Sequence, residues 1–300
     1  MTWVNIAILS AAIVGAVNIL DSRLISKLMP GLRAFPMPVG IMHLVFASVL
    51  LALLPLPEGT SILTMVVTIA SGLLRTGAIS IMLYSLQKTE VSRVIPVVFT
   101  YPIFVAIIAV PLLEETLYLS EWLAIIIVVA GAVMISAQQS SSSTTTWPVK
   151  PLLLLFGSGL LFALADIASK YALNYISFWN MFSLSAFCMS GIFLLLSIRP
   201  HIIRQLGNMK ERNSAMGLLM LNEILAVIGI VLSFWALEMG PVSLVSTISS
   251  SRPMFVVIFA LIMNRISPRF LDWHPGKGRL YLRLIATAMI VYGIIIIQLM

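Results

Sequence analysis

The sequence has few charged residues and a single cysteine. Asp, Glu, Lys and Arg make up 10% of its 300 residues, well below the roughly 25% that soluble domains use to cover their surface. Cys188 has no second cysteine to pair with, which excludes an intrachain disulfide and a cysteine-based metal site. The chain also has only three histidines and lacks metalloprotease, phosphate-binding and dinucleotide-binding motifs. We therefore expect neither a metal nor a nucleotide cofactor.

What the sequence has instead is apolar residues, at 60% of the chain and a mean hydropathy of +1.07. Ten segments are apolar over the length of about 20 residues that a membrane-spanning helix requires. They lack the alternation that is typical of barrel strands. The predicted fold class is therefore all-α, a polytopic membrane protein of ten transmembrane helices. The predicted spans are 3–27, 36–56, 61–86, 91–113, 119–138, 149–174, 178–198, 214–238, 242–264 and 280–299.

The first predicted span begins directly after Met1 and Thr2, with no Lys or Arg before it. We interpret it as a transmembrane helix and not as a cleaved signal peptide. Residues 139–148, near the midpoint of the chain, are rich in Ser and Thr and predict a flexible linker. This linker separates a first half, 1–138, from a second half, 149–300. The other links are too short to form a soluble domain, so any chemistry must take place among the helices.

The positive charges collect in alternate links, and the opposite links carry mainly glutamates such as Glu58. Because basic links remain in the cytoplasm, this bias places both termini outside. The net charge of +7 then reflects membrane topology and not nucleic-acid binding. We expect this protein to be embedded in a lipid bilayer, most simply that of the plasma membrane. The basic links carry Arg23, Lys27, Arg33, Lys88, Arg93, Lys150, Arg199, Arg204, Lys210, Arg212, Arg265, Arg269, Lys277 and Arg279.

The two halves repeat one pattern. Residues 100–109 align with residues 251–260 at an offset of 151 positions. The fifth span of each half carries a late glycine, Gly131 and Gly293. Five helices are an odd number, so the second half must enter the membrane in the opposite orientation. In such inverted repeats the substrate site lies near the membrane midplane, between the halves.

Motifs in both halves are similar to those of a known family. The first half carries Tyr101-Pro102-Ile103-Phe104-Val105 followed by Leu113-Glu114-Glu115, and the second carries Pro253-Met254-Phe255. At this spacing they resemble the drug/metabolite transporter superfamily, specifically its EamA-type ten-helix transporters. The resemblance covers nearly the whole chain and implies transport of small metabolites, in many relatives outward.

The sequence departs from that family in two respects. Asn264-Arg265 stands where the second half would carry an acidic residue. Ten-helix relatives keep both termini in the cytoplasm, whereas the charge bias of this sequence places them outside. The orientation in the membrane therefore stays open between the charge rule and the family pattern.

Four ionisable residues lie close to the centre of a predicted span: Arg75, Asp166, Glu223 and Arg252. A charge at that depth costs at least about 2.5–3.5 kcal/mol on insertion scales, so it needs a partner or water. Arg75 and Glu223 lie about one turn apart in register on corresponding helices, and we expect them to face each other. Arg75 and Arg252 would clamp a carboxylate or phosphate, while Asp166 or Glu223 would bind an amino group or a coupling proton. The alternative is a set of structural ion pairs that fix helix packing.

Further residues complete the predicted substrate-binding set. Asn18 and Asn222 are the uncharged polar residues near span centres, and Tyr84, Tyr101 and Trp235 are placed to wall a cavity.

The fourth and ninth spans are interrupted by prolines: Pro96, Pro102 and Pro253. Proline removes an amide donor and kinks a helix, and the carbonyls that it frees can line a cavity. Such kinks serve as gating hinges or as static bends, and the sequence leaves both open. His43 in the second span likewise suits either a proton relay or a buried structural role.

We expect a secondary transporter that moves small polar metabolites, such as amino acids or organic acids, by alternating access. No ATP-binding motif is present, so a coupling proton, a counter-substrate or the substrate's own gradient would drive transport. Two other functions are compatible with the sequence. One is an intramembrane enzyme that acts on lipid-linked substrates through Asp166 and Glu223, although we do not expect an enzyme. The other is a non-transporting assembly or sensor protein.

Overall fold

The structure is a computed structural model that describes residues 2–31, 33–88, 91–137, 149–209, 212–266 and 277–299. In these ranges the regular structure is helical and no strand occurs, which confirms the all-α fold class. The predicted linker at 139–148 lies outside the described residues. The helices are α1 (Trp3–Arg23, continued by a π-helical turn, Leu24–Leu28), α2 (Pro36–Leu53), α3 (Ile62–Lys88), α4 (Val91–Val98), α5 (Tyr101–Leu112), α6 (Leu119–Ala137), α7 (Val149–Ala172), α8 (Phe178–Ser197), α9 (Pro200–Gly207), α10 (Arg212–Met239), α11 (Val242–Ser249), α12 (Arg252–Ile266) and α13 (Lys277–Gln298).

Ten helical segments of the described chain are long and apolar enough to cross a membrane, as predicted. The largest difference from a predicted boundary is three residues, as in the second span, which was expected to reach 56 and ends at Leu53. The fourth span combines α4 with α5, and the ninth combines α11 with α12. Large apolar side chains such as Leu195 and Ile62 are exposed on the outside of the bundle, where a bilayer supplies an apolar solvent.

The fourth and ninth spans are broken at matching positions. Two residues, 99–100, separate α4 from α5, and residues 250–251 separate α11 from α12, again 151 positions apart. In the first break the Thr100 hydroxyl donates to the Val97 carbonyl oxygen over 2.7 Å. In the second, the Ser251 hydroxyl donates to the Ile248 carbonyl oxygen over 2.6 Å. The two breaks therefore share one local hydrogen-bond pattern, which supports the predicted repeat.

The prolines of these spans do not all act as the sequence predicts. Pro96 lies inside α4, where an interruption was expected. Pro102 is the second residue of α5, and Pro253 is the second residue of α12. The first turn of a helix has no intrahelical acceptor for its amide groups, so a proline there costs little and favours the helical backbone angle. Pro102 and Pro253 thus begin helices, and the chain breaks just before them.

The fifth spans of the two halves, α6 and α13, cross through their glycines. A Cβ on Gly131 would lie 2.8 Å from the Ala286 carbonyl oxygen, and one on Gly293 would lie 3.2 Å from the Ala124 carbonyl oxygen. Gly131 and Gly293 are 162 positions apart, and so are Ala124 and Ala286. The glycine near the end of each helix therefore contacts an alanine nearer the start of the other helix. The crossing is therefore antiparallel and self-complementary, as an inverted repeat requires.

Each half packs chiefly on the other half. The most extensive contacts join α3 with α7, α6 with α13, α1 with α10, and α2 with α8. The Ser10 hydroxyl on α1 donates to the Gly229 carbonyl oxygen on α10 over 2.8 Å. The Ser158 hydroxyl on α7 donates to the Ala78 carbonyl oxygen on α3 over 2.9 Å. These are equivalent bonds in the two halves, so the core of the bundle lies between the halves and not within either one.

The connection between α10 and α11 is held from two sides. The Lys170 ammonium donates to the Gly240 carbonyl oxygen over 2.8 Å, at the C-terminal end of α10. The Glu115 carboxylate, from the first half, accepts from the Ser243 hydroxyl over 2.6 Å and from the Val242 amide over 2.5 Å. Each charge complements the partial charge of the helix end that it meets. Glu115 therefore caps the half-helix α11 from across the repeat boundary.

Candidate functional site

Two of the predicted mid-span charges form an ion pair between the halves. The Arg75 guanidinium, on α3, donates to the Asp166 carboxylate, on α7, over 2.8 Å. The other Asp166 oxygen accepts from the Ser246 hydroxyl on α11 over 2.6 Å. The Tyr101 hydroxyl, at the start of α5, donates to the Ser246 carbonyl oxygen over 3.3 Å. The Asp166 carboxylate therefore joins α3, α7 and α11, and Ser246 extends the network to α5.

A small polar cavity opens at this point. Its volume is about 10 Å³, room for roughly one water molecule, so the site is closed in this structure. It lies beside both helix breaks, because the first residue of α5 and the first residue of α12 line it. The lining residues are Arg75, Tyr101, Asp166, Ser233, Leu237, Val245, Ser246, Ser249 and Arg252.

The electrostatics of the cavity favour an anion. Two guanidinium groups, Arg75 and Arg252, face it together with one carboxylate, Asp166. The buried Nε atoms of both arginines have no hydrogen-bond partner among the described residues. The positive ends of α5 and α12 lie at its edge. The cavity therefore carries one positive charge in excess and unused donors, which a carboxylate or phosphate oxygen can satisfy.

Sequence reasoning found four of these residues: Arg75, Tyr101, Asp166 and Arg252. It missed Ser246, whose hydroxyl and carbonyl both take part in the network. A signal was available, because α11 carries a hydroxyl at four of its eight positions, a high density for a helix inside a membrane.

The predicted Arg75–Glu223 pair does not form. Glu223 lies 3.2 Å from His43 instead, and the Arg75 guanidinium lies 5.2 Å from the ring of Phe234. Phe234 is eleven residues beyond Glu223 on α10, a rise of about 16 Å. The physical reason is helix packing, since α3 packs on α7 and α8 while α10 packs on α1. A shared register on equivalent helices did not make those helices neighbours.

Four other predicted site residues lie away from the cavity. Asn222 belongs with Glu223 in its separate cluster. Tyr84 is 47% exposed and lies nine residues from Arg75, about 13 Å along α3. Trp235 stacks on Phe178 at 5.6 Å, because successive helical residues turn by about 100° and residue 235 points away from the cavity side of α10. Asn18 is exposed on α1 and does not line the cavity.

A larger cavity of about 580 Å³ lies elsewhere, between the end of the π-helical turn and α9. Lys27, Pro30, Arg204 and Asn208 are among its lining residues. It lies at the ends of the helices, where charged side chains can reach water. The smaller mid-span cavity is the better candidate site. The charges that line it are inside the membrane-spanning region, where an ionised side chain needs a partner or a ligand.

Comparison with known proteins adds a family and a fold. The sequence matches the EamA-like transporter family over residues 1–137 and 149–275. A solved structure titled "Crystal structure of protein" is similar with a TM-score of 0.68 and 16% sequence identity, over 99% of this chain and 97% of that chain. At this identity the likeness concerns the fold alone. No curated protein gives a significant match to the sequence.

Proposed function

The chain belongs to the EamA-like transporter family, and from this we propose that it is a secondary transporter of small metabolites bearing a carboxylate or phosphate. It is an integral, multi-pass membrane protein with ten spans. The observation that carries the proposal is the Arg75–Asp166 ion pair beside Arg252, at the two helix breaks.

An amino acid suits this arrangement best among common metabolites. Its carboxylate can bind between Arg75 and Arg252, because guanidinium groups hold carboxylates through paired hydrogen bonds. Its ammonium group can take over the Asp166 oxygen that Arg75 now occupies. The ion pair of the closed site is then replaced by two ion pairs with the substrate. An organic acid fits the excess positive charge as well, but leaves the Arg75–Asp166 pair intact.

The same contacts support alternating access as the mechanism. Ligand pockets measure roughly 300 Å³ or more, so the helices around the cavity must separate to admit a metabolite. Asp166 and Ser246 join α7 to α11, and a ligand that competes for Asp166 loosens this joint. The breaks near Pro96, Pro102 and Pro253 are where the half-helices would swing. We further propose export across the plasma membrane as the direction and location.

The intramembrane-enzyme alternative has less support. It depends on Asp166 and Glu223 acting as an acid/base pair at one depth. The two carboxylates have different partners, Arg75 for the first and His43 for the second. No observation in the described part of the chain favours it over transport.

Purified protein in lipid vesicles tests the proposal. A thermal-shift screen of amino acids and small organic acids identifies a candidate solute, and flux of that radiolabelled solute is then measured. We expect saturable flux that is abolished in Arg75→Ala and in Arg252→Ala. Arg252→Lys retains the charge but loses the paired donors, so it should keep maximal flux and raise the KM several-fold.

The matched control is Arg199→Ala, which removes an exposed arginine from the link after α8 and should transport as the wild type does. Full flux in Arg75→Ala would remove the proposed site. A wild-type protein that binds no solute in the screen and moves none would favour the assembly or sensor alternative.

A further inference from the structure

A second buried polar cluster lies between α1, α2 and α10, apart from the cavity. The Asn222 amide nitrogen donates to the Asp21 carboxylate over 2.8 Å and to the Glu223 carboxylate over 3.2 Å. The His43 Nδ1 atom lies 3.2 Å from the other Glu223 oxygen and 3.1 Å from the Val39 carbonyl oxygen. Two carboxyl groups and an imidazole therefore share one site inside the membrane.

This cluster has unused hydrogen-bonding capacity. Three of its buried atoms have no hydrogen-bond partner in the described structure: His43 Nε2, Asn222 Oδ1 and Glu223 Oε2. The three residues are only 2%, 0% and 2% exposed. Because the Val39 carbonyl can only accept, the Nδ1 atom carries the hydrogen in that contact, and Nε2 remains as the open basic nitrogen. Buried polar atoms without partners are costly, so a bound species that satisfies them stabilises the site.

The bound species that fits is a proton. With His43 neutral, two ionised carboxylates share a single amide group as donor. One proton on Glu223 or on His43 then halves the negative charge of the cluster. A metal ion fits poorly, since no group of three or more His, Cys, Asp and Glu residues in the described chain is arranged to hold one. The other ionisable groups on α1, its π-helical turn, α10 and the neighbouring helices α8 and α12 are Arg23, Lys27, Cys188, Arg212, Glu238, Arg252 and Arg265.

The cluster is separated from the solute site but mechanically joined to it. Glu223 and the cavity residue Ser233 lie ten residues apart on α10, about 15 Å along one rigid helix. The other partner, α1, packs on α12, whose first residue is Arg252. A change of charge at the cluster can therefore shift both walls of the cavity without competing for the same arginines.

We propose that Asp21, His43, Asn222 and Glu223 form the proton-coupling site of this transporter. One proton enters from water on one side, binds at Glu223 and His43, and leaves to the other side once in each transport cycle. This inference rests on the proposed transport function. Proton binding at the cluster can be measured without a transported solute, so a failure of this proposal is distinguishable from a failure of the transport proposal.

The first experiment is a pH titration of the purified protein followed by infrared difference spectroscopy, which detects the carbonyl stretch of a protonated carboxylic acid. We expect a titrating band that is lost in Glu223→Gln or Asp21→Asn. Glu238→Gln is the matched control, because Glu238 is on the same helix but outside the cluster, and it should keep the band. A titrating band unchanged in Glu223→Gln and Asp21→Asn overturns the proposal, whether or not the protein transports.

The second experiment uses vesicles loaded with a pH-sensitive dye and a mixture of radiolabelled amino acids and organic acids. For one coupled proton, a pH difference of one unit supports up to about tenfold accumulation. Glu223→Gln and His43→Gln should lose this accumulation and retain solute exchange at equal pH. Accumulation that persists in both variants overturns the proposal. Loss of exchange as well, in variants that melt at the wild-type temperature, overturns it too, because the cluster would then belong to the solute site.

Discussion

Tyr101 and Arg252 occupy equivalent positions in the two halves, 151 residues apart, and both begin a half-helix that borders the same cavity. The scaffold around them is close to symmetric, with matched breaks and matched hydroxyl contacts. Their side chains are not, since one is a neutral phenol and the other a cation. Arg252 therefore brings a positive charge to the site that its counterpart in the first half does not supply. This asymmetry gives the cavity a direction along which an anionic group can be oriented.

Asp166→Asn should separate the functional and structural roles of the Arg75–Asp166 pair. It leaves the Arg75 side chain, 24% exposed, without its counter-charge. We expect a loss of about 1–3 kcal/mol of stability, below the full cost of breaking a fully buried pair because the arginine side chain is only partly buried.

The double variant Arg75→Gln with Asp166→Asn is the control, with melting temperature and flux as the two measurements. If the pair contributes to the solute site, the double variant should recover most of the melting temperature and none of the flux. Recovery of both would show that the pair only fixes helix packing.

Gly293→Ala should weaken the crossing of α6 and α13. The added Cβ would meet the Val128 side chain at 2.5 Å and the Ala124 carbonyl oxygen at 3.2 Å. The helices must move apart, which we expect to cost about 1–3 kcal/mol and to lower the melting temperature.

Gly157→Ala, on α7, is the matched control, because nothing lies within 4 Å of a Cβ there. It should leave the melting temperature unchanged or raise it, since alanine favours the helix over glycine. Equal effects at both glycines would contradict the close crossing.

Glu115→Gln should destabilise the start of α11. The substitution removes the charge from two contacts at that helix end, the Val242 amide and the Ser243 hydroxyl. The expected loss is about 1–2 kcal/mol, the usual value of a charged N-terminal cap. Hydrogen exchange of the α11 amides should rise in parallel, and both changes should be smaller in Glu114→Gln, whose carboxylate has no described contact with α11.

The orientation in the membrane can be measured by cysteine labelling. In a Cys188→Ser background, Glu58→Cys and Arg33→Cys place single thiols in the exposed links at either end of α2. The charge rule places Glu58 outside and Arg33 in the cytoplasm. An impermeant maleimide added to intact cells should therefore label position 58 and not position 33. The reverse labelling would show that the family pattern, and not the charge bias, sets the orientation.

The spans were predictable because one physical quantity decides them. About twenty apolar residues are required to cross the hydrocarbon core. The ten apolar segments of this sequence have that length, and the links between them do not. The inventory of buried charges was equally visible, since any ionisable residue at mid-span needs compensation. Arg75, Asp166 and Arg252 were identified on this ground alone.

The partners of those charges were not predictable to the same degree. Glu223 was assigned to Arg75 from register, yet it lies beside His43, because the neighbour of a helix depends on the packing of the whole bundle. The helix breaks show a similar limit. Pro102 and Pro253 mark their vicinity, but the same residue type can kink a helix or begin one, and only the backbone distinguishes the two.

The ion pair between α3 and α7 has a consequence for biosynthesis. Arg75 is made 91 residues before Asp166, so the third span reaches the bilayer while its counter-ion is still untranslated. A lone arginine at that depth is unfavourable by about 2.5–3.5 kcal/mol or more. The helix faces of the first half that pack on the second half also lack their partners at this stage. We therefore expect the nascent first half to be less stable until the sixth span arrives and supplies the counter-charge.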